Sequence, residues 1–169
     1  MAKVNKIVIK NVKTEWAKIA KPDESGNYVV NMICSPDQAS ELEAFMMSVW
    51  EEEMGGVKKP AWLGGKKELD EGWIRYVTKR VSKYKNKDGE EVAMKLVVLD
   101  RMAKEYDVVP SVANGAIMNI SLNAVVTEYK KEKGISLYIN SIQLVEFEPY
   151  GNDSDFEPLD KDESDFDAV

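Results

Sequence analysis

Residues 117–147 read IMNISLNAVVTEYKKEKGISLYINSIQLVEF, and their alternation decides the fold class. Met118, Ile120, Leu122, Ala124 and Val126 fall on one side of an extended chain, with Asn119, Ser121, Asn123 and Thr127 on the other. Successive side chains of a strand point to opposite faces, so a period of two is what a half-buried strand requires. A turn over residues 130–134 reverses the chain, after which Ile135, Leu137 and Ile139 share one face. The apolar phase then slips to Ile142 and Leu144, which predicts a β-bulge near Asn140-Ser141.

Working outward, residues 4–12 (VNKIVIKNV) and 26–34 read as two further strands. Ser35-Pro36-Asp37-Gln38 is a helix start: serine caps, proline takes the first turn and glutamine reaches back. Ala39, Leu42, Phe45, Met46, Val49 and Trp50 follow at helical spacing until Gly55-Gly56 ends the run. That face is expected to pack on the sheet, with Trp50 in the core. Residues 57–72 form a glycine- and lysine-rich loop around Trp62. Residues 73–82 and 92–99 are expected to pair as a hairpin, with Asp88-Gly89 marking its turn. Five or more strands, long hairpins and one helix predict a mainly β fold, an OB-like Greek-key barrel with one amphipathic helix, over residues 1–150. An SH3-like barrel or an α+β sheet is the alternative.

The net charge of −7 is carried entirely by residues 151–169, which hold eight acids and one lysine. Residues 1–150 are therefore neutral, and a neutral body can still present a basic face. The acidic tail has too few apolar groups to offset the entropy of ordering, and disorder is expected there. The chain lacks histidine and has one cysteine, Cys34, so the usual general base and cysteine-built zinc sites are excluded. No apolar stretch is long enough to span a bilayer. No cofactor, no metal and no membrane partner are expected, and a cytoplasmic protein is the simplest reading.

Bases interleaved with aromatics recur in the body. Trp16 and Lys18 precede Lys21; Trp73, Arg75 and Lys79 share one strand face, with Arg80 beside them. Tyr84, Lys85 and Lys87 form one hairpin tip, and Tyr129, Lys130 and Lys131 form another. Single-strand binders need both groups, because cations track phosphates while flat rings accept unpaired bases without reading sequence. Trp62, flanked by Lys58, Lys59, Lys66 and Lys67, reads as a loop anchor, with a DNA clamp as the alternative. Gly64-Gly65-Lys66-Lys67 lacks the spaced first glycine and the hydroxyl of a phosphate loop. Asp160, Asp162 and Ser164 mimic the opening of a calcium loop, but Asp165 stands where glycine is needed.

In the tail, Asp155-Phe156 and Asp165-Phe166-Asp167 set aromatics among carboxylates. Charge alone would solubilise; a peptide that docks in a basic, ring-lined groove uses both groups.

The chain resembles the single-stranded DNA-binding proteins of T-seven-type phages. The resemblance is carried by Ile19-Ala20-Lys21-Pro22-Asp23, Leu96-Val97-Val98-Leu99-Asp100, Val109-Pro110, and Ser141-Ile142-Gln143-Leu144-Val145-Glu146-Phe147 before the acidic tail. It implies an OB fold and sequence-tolerant binding of single-stranded DNA. It also implies a tail that engages phage DNA polymerase and helicase, roles in replication, recombination and repair, and residence in the cytoplasm of the infected bacterial host. The family often ends on an aromatic residue, whereas here Phe166 is followed by Asp167-Ala168-Val169. A ring-bearing segment of the family reads Val125-Val126-Thr127, leaving Tyr129 as the nearest aromatic. A homodimer is compatible with the sequence, which does not fix the oligomeric state. The competing reading is an acidic DNA mimic that inhibits a nucleic-acid enzyme, and it would need an acidic body. A carboxylate-metal nuclease would need clustered acids on the strands.

Overall fold

A computed structural model describes residues 6–56 and 58–149. The strands are β1 (Lys6–Lys18), β2 (Asn27–Cys34), β3 (Lys67–Glu68), β4 (Ile74–Val81), β5 (Lys83–Lys85), β6 (Glu91–Ala93), β7 (Val97–Leu99), β8 (Ile117–Tyr129) and β9 (Glu132–Glu146). Helix α1 (Pro36–Met54) follows β2.

The β8–β9 pair is the longest antiparallel ladder, running from Ile117↔Glu146 to Tyr129↔Glu132. Met118, Ile120, Leu122 and Ala124 are buried as their alternation predicts. Ser121 pairs with Ser141 and Leu122 with Ile139, so Asn140 is the bulged residue. β8 pairs with β1, β1 with β2, and β2 with β4, all antiparallel. β4 then meets β9 in parallel at Thr78↔Leu137 and Lys79↔Tyr138, which closes a five-stranded barrel. Closure removes the unpaired edges that an open sheet of this size would expose.

One strand must serve two neighbours around the barrel, and β1 does so by bending at two irregularities. Asn11 and Trp16 sit there with positive φ, 53° and 52°. A bulge frees backbone N–H groups from the ladder, and asparagine side chains accept them: Asn11 N donates to Asn119 Oδ1 at 2.8 Å, Trp16 N to Asn114 Oδ1 at 2.7 Å.

Helix α1 begins with the capping box expected from Ser35 and Gln38, and Gly55 ends it in the left-handed conformation. Its buried side chains, Ala39, Leu42, Met46, Val49 and Trp50, lie against β1, β2, β8 and β9. Burial of each of the larger ones stabilises the fold by about 1.5–3 kcal/mol. Glu43 fastens the helix further: Tyr76 Oη donates to Glu43 Oε2 at 2.6 Å, and Lys66 Nζ lies 2.8 Å from the same oxygen.

Two expectations are corrected. Residues 73–82 and 92–99 form no ladder with one another beyond the bond from Met94 N to Ser82 O at 2.7 Å: β4 lies between β2 and β9, and β7 runs parallel to β9. Only β5 and β6 form a hairpin there, around a turn in which Asn86 Oδ1 accepts from Asp88 N and Glu90 N. The long strands find non-local partners because their apolar faces must join the barrel core. The second turn is also tighter than residues 130–134. Lys130 and Lys131 alone connect β8 to β9, with φ of 51° and 69°.

Among the described residues, no helix is long and apolar enough to cross a membrane. The tail residues Asp155, Phe156, Asp165, Phe166 and Asp167 lie outside the described residues.

Candidate nucleic-acid interface

Barrel closure brings together side chains far apart in sequence. Cross-strand register runs from Lys18 to Val29, from Val29 to Lys79, from Lys79 to Tyr138 and from Tyr138 to Asn123. Directly paired residues share a face, so these five form one row across the outside of the barrel. Neighbouring strands lie about 4.8 Å apart, placing Lys18 and Lys79 about 10 Å apart along the row. Lys79 Nζ stands over the Tyr138 ring, 5.9 Å from its centroid. Asn140 completes the polar end by donating to Asn123 Oδ1 at 3.1 Å.

A second row joins Lys13 to Ile33, Ile33 to Arg75 and Arg75 to Lys67, adding three cations to the same face. Arg75 lies against the neighbouring loop, with Nη2 donating to the Gly65 carbonyl at 3.2 Å. Arg80 is one residue out of phase with Lys79 and so points to the other side of β4, not beside it. Its Nε donates to the Lys95 carbonyl and its Nη1 to the Ile139 carbonyl, at 3.0 and 3.1 Å. Arg80 braces the end of the barrel. Trp73 is half-buried just ahead of β4.

The remaining sequence-named residues surround these rows in three places. Trp16, 63% exposed, lines a cavity of about 540 Å³ with Lys18, Lys21, Pro22 and Asn114. Tyr84, 48% exposed, stands with Lys85 on β5, and Lys87 follows in the turn to β6. Tyr129, 64% exposed, sits at the β8–β9 tip, with Lys130 Nζ 5.4 Å from its ring centroid and Lys131 next in the turn. Tyr138, Lys13 and Lys67 complete the basic face without having been singled out as DNA-binding residues from sequence. For Tyr138 the signal was available: it occupies the outward phase between buried Leu137 and Ile139.

Trp62 is anchored and also outward. Residues 61–64 run beside β9, with Ala61 N donating to Lys133 O, Ile135 N to Trp62 O and Gly64 N to Ile135 O. The indole lies against Gly134, where an added Cβ would come within 2.4 Å of the ring.

The electrostatics are polar across the molecule. Helix α1 carries six acids and no base, so the rest of the first 150 residues holds an excess of six bases. For Glu43, burial acts to raise the carboxyl, but hydrogen bonds from Lys66 and Tyr76 outweigh it and hold it below its ordinary value. Burial pushes the Cys34 thiol up to about 12, so at neutral pH it remains a protonated core group. Among the described residues, no group of three or more acidic or cysteine side chains is placed to hold a metal ion.

Barrel order β1-β2-β4-β9-β8, closed by a parallel pairing, and a basic, ring-bearing outer face define the class: an OB-type barrel. No family model and no curated protein matches the sequence. Among solved structures the chain is similar to the crystal structure of gp2.5, a single-stranded DNA-binding protein encoded by bacteriophage T7. The two are 21% identical over 87% of this chain and 90% of that one, with a TM-score of 0.66. It is also similar to the single-stranded DNA-binding protein of bacteriophage Enc34 in complex with single-stranded DNA. That match is 16% identical over 89% of this chain and 97% of that one, with a TM-score of 0.63. Another structure of the bacteriophage Enc34 protein gives 17% identity over 89% of this chain and 91% of that one, with a TM-score of 0.61. At these identities the likeness establishes a shared fold.

Proposed function

We propose that this protein binds single-stranded DNA, without catalysis and with little sequence preference, across the outer face of β2, β4 and β9. The observation that carries the reading is the row Lys18–Val29–Lys79–Tyr138–Asn123, which alternates charge, apolar surface, ring and amide. Phosphates take the lysines and an unpaired base stacks on the ring. The second and third barrel strands and the loops joining strands one to two and four to five are where OB folds take up oligonucleotides. Those loops correspond here to residues 19–26, with Lys21, and to the Lys130-Lys131 turn, and both hold sequence-named cations. Arg75, Tyr84, Lys85, Lys87, Tyr129 and Trp16 extend the surface, and Trp73 and Arg80 support it. The phage proteins of the same fold, one of them solved with single-stranded DNA, make the reading concrete.

The finer roles rest on the resemblance in sequence. The body, residues 1–150, coats exposed strands during phage replication, recombination and repair in the cytoplasm of the infected host. The tail, residues 151–169, competes for the groove when DNA is absent and recruits the phage polymerase and helicase. A self-paired dimer is compatible with this role. A DNA mimic is disfavoured because residues 1–150 hold as many bases as acids and present cations in rows across β1, β2, β4 and β9.

The test is a gel-shift titration of single-stranded against duplex DNA over a range of salt. Single strands should bind more tightly, with log K falling by about 0.7 per phosphate contact for each tenfold rise in salt. Preference for duplex, or binding indifferent to salt, contradicts the proposal.

A further inference from the structure

The chain between α1 and β3 carries Trp62, a ring outside the cationic rows of the barrel face. Residues 61–64 run parallel to the start of β9, bridged at Leu63↔Ile135, and fill the seam where β9 departs from β4. Val77 N closes the other side by donating to Gly64 O at 2.8 Å. The backbone at Trp62 is thereby fixed on both flanks, through Ala61 and through the Trp62 carbonyl. The side to which β9 aims residue 134 is the outer one, because Gly134, Ser136 and Tyr138 share a phase and Tyr138 meets Lys79 outside the barrel. Gly134 is the position that admits the ring. Any Cβ there would overlap it, at 2.4–2.5 Å from Cδ2, Cε2 and Cγ.

A loop anchor has no need of the outer face, since the barrel interior would bury the ring fully. Trp62 is instead half-buried and borders an open cavity of about 410 Å³ with Pro60, Lys66 and Glu68. Its neighbours on that face are Tyr129, two ladder positions toward the tip, and Tyr138, four positions the other way. At about 3.4 Å per residue, the three rings stand at intervals of about 7 and 14 Å along β9.

We infer that Trp62 is a base-stacking residue, the middle ring of a track that leads a single strand along β9 from the hairpin tip to the Lys79–Tyr138 pair. The inference rests on the single-strand-binding reading above and adds a residue and a path to it. A rigidly held indole with one face on glycine backbone accepts a base at low entropic cost, and stacking tolerates any base.

The experiment compares the full-length parent with Trp62→Phe and Trp62→Ala. Oligothymidylate affinity is measured across salt, together with tryptophan emission on saturation and thermal unfolding. Trp62→Ala should bind about 5- to 150-fold more weakly with an unchanged salt slope, because a ring but no charge has been removed. Trp62→Phe should keep most of the affinity yet lose the largest share of the emission quenching that the parent shows. Parental quenching in Trp62→Phe, or parental affinity in a folded Trp62→Ala, overturns the inference. If Trp62→Ala does not fold, quenching in the phenylalanine variant decides. A parent that fails to bind single strands overturns the underlying reading as well, an outcome separable from failure of Trp62 alone.

Discussion

Replacing Lys130-Lys131 by Asn-Gly should stabilise the protein and weaken its hold on DNA. The two residues form a two-residue turn with φ of 51° and 69°, and such turns favour asparagine and glycine because both centres are left-handed. Left-handed backbone costs about 1–2 kcal/mol at an ordinary residue; glycine escapes that cost and asparagine escapes part of it, so relief contributes about 2 kcal/mol. Glycine's extra freedom in the unfolded chain returns about 0.5 kcal/mol. Loss of the exposed contact between Lys130 and the Tyr129 ring returns about 0.5 kcal/mol more. A net gain near 1 kcal/mol corresponds to a rise in Tm of about 2–4 °C for a domain of this size. If each lysine neutralises one phosphate, the salt slope becomes shallower by about 1.4. Where the two proteins converge at 1 M salt, that is about 25-fold weaker binding at 0.1 M. Calorimetry and anisotropy titrations at several salt concentrations read both effects. Lys130→Ala/Lys131→Ala serves as control: it should weaken binding equally without the thermal gain. A Tm that does not rise refutes the strain argument, and an unchanged salt slope removes these lysines from the DNA path.

Tyr138→Ala should cost about 1–3 kcal/mol of single-strand affinity and leave the salt slope intact, whereas Lys79→Ala should make that slope shallower by about 0.7. Parallel titrations that show no such division would separate the pair from DNA. Glu43→Gln should destabilise the fold at neutral pH. Because the folded carboxyl lies below its ordinary value of 4.5, its stabilising effect is present above that value and fades as pH falls through the lowered one. Thermal melts of parent and variant should therefore converge on acidification, and a constant gap contradicts the Lys66–Glu43–Tyr76 cluster as its source. Truncation after Tyr150 should tighten single-strand binding, most at low salt, since a tethered acidic segment competes at an effective concentration of about millimolar order. Equal low-salt affinities of the full-length and truncated chains would leave the tail outside the groove.

Local signals read correctly where local physics governs. The capping box at Ser35 and Gln38, the phase slip that places the bulge at Asn140, and the alternation of Met118 through Ala124 each depend on nearby residues alone. Strand partners do not. The pairing of β4 with β9 and of β7 with β9 comes from burying faces of distant segments together, and no turn chemistry between residues 82 and 92 reports it. The interface suffered likewise. Clusters of neighbouring bases and rings were visible, but the Lys79–Tyr138 pair arises only at the parallel seam. Arg80 adjoins Lys79 in sequence, but a period of two puts adjacent residues on opposite faces. In sequence, Trp62 is a ring among lysines. That it rests outside the barrel depends on the missing side chain at Gly134, far along the chain.

Backbone amide shifts on titration with an oligothymidylate examine the whole reading at once. The largest changes should map to Lys18, Val29, Lys79 and Tyr138 and spread toward the Lys130-Lys131 turn, with the acidic helix α1 unmoved. Changes centred on α1, or an oligonucleotide that leaves the Lys79–Tyr138 row unperturbed, would contradict it.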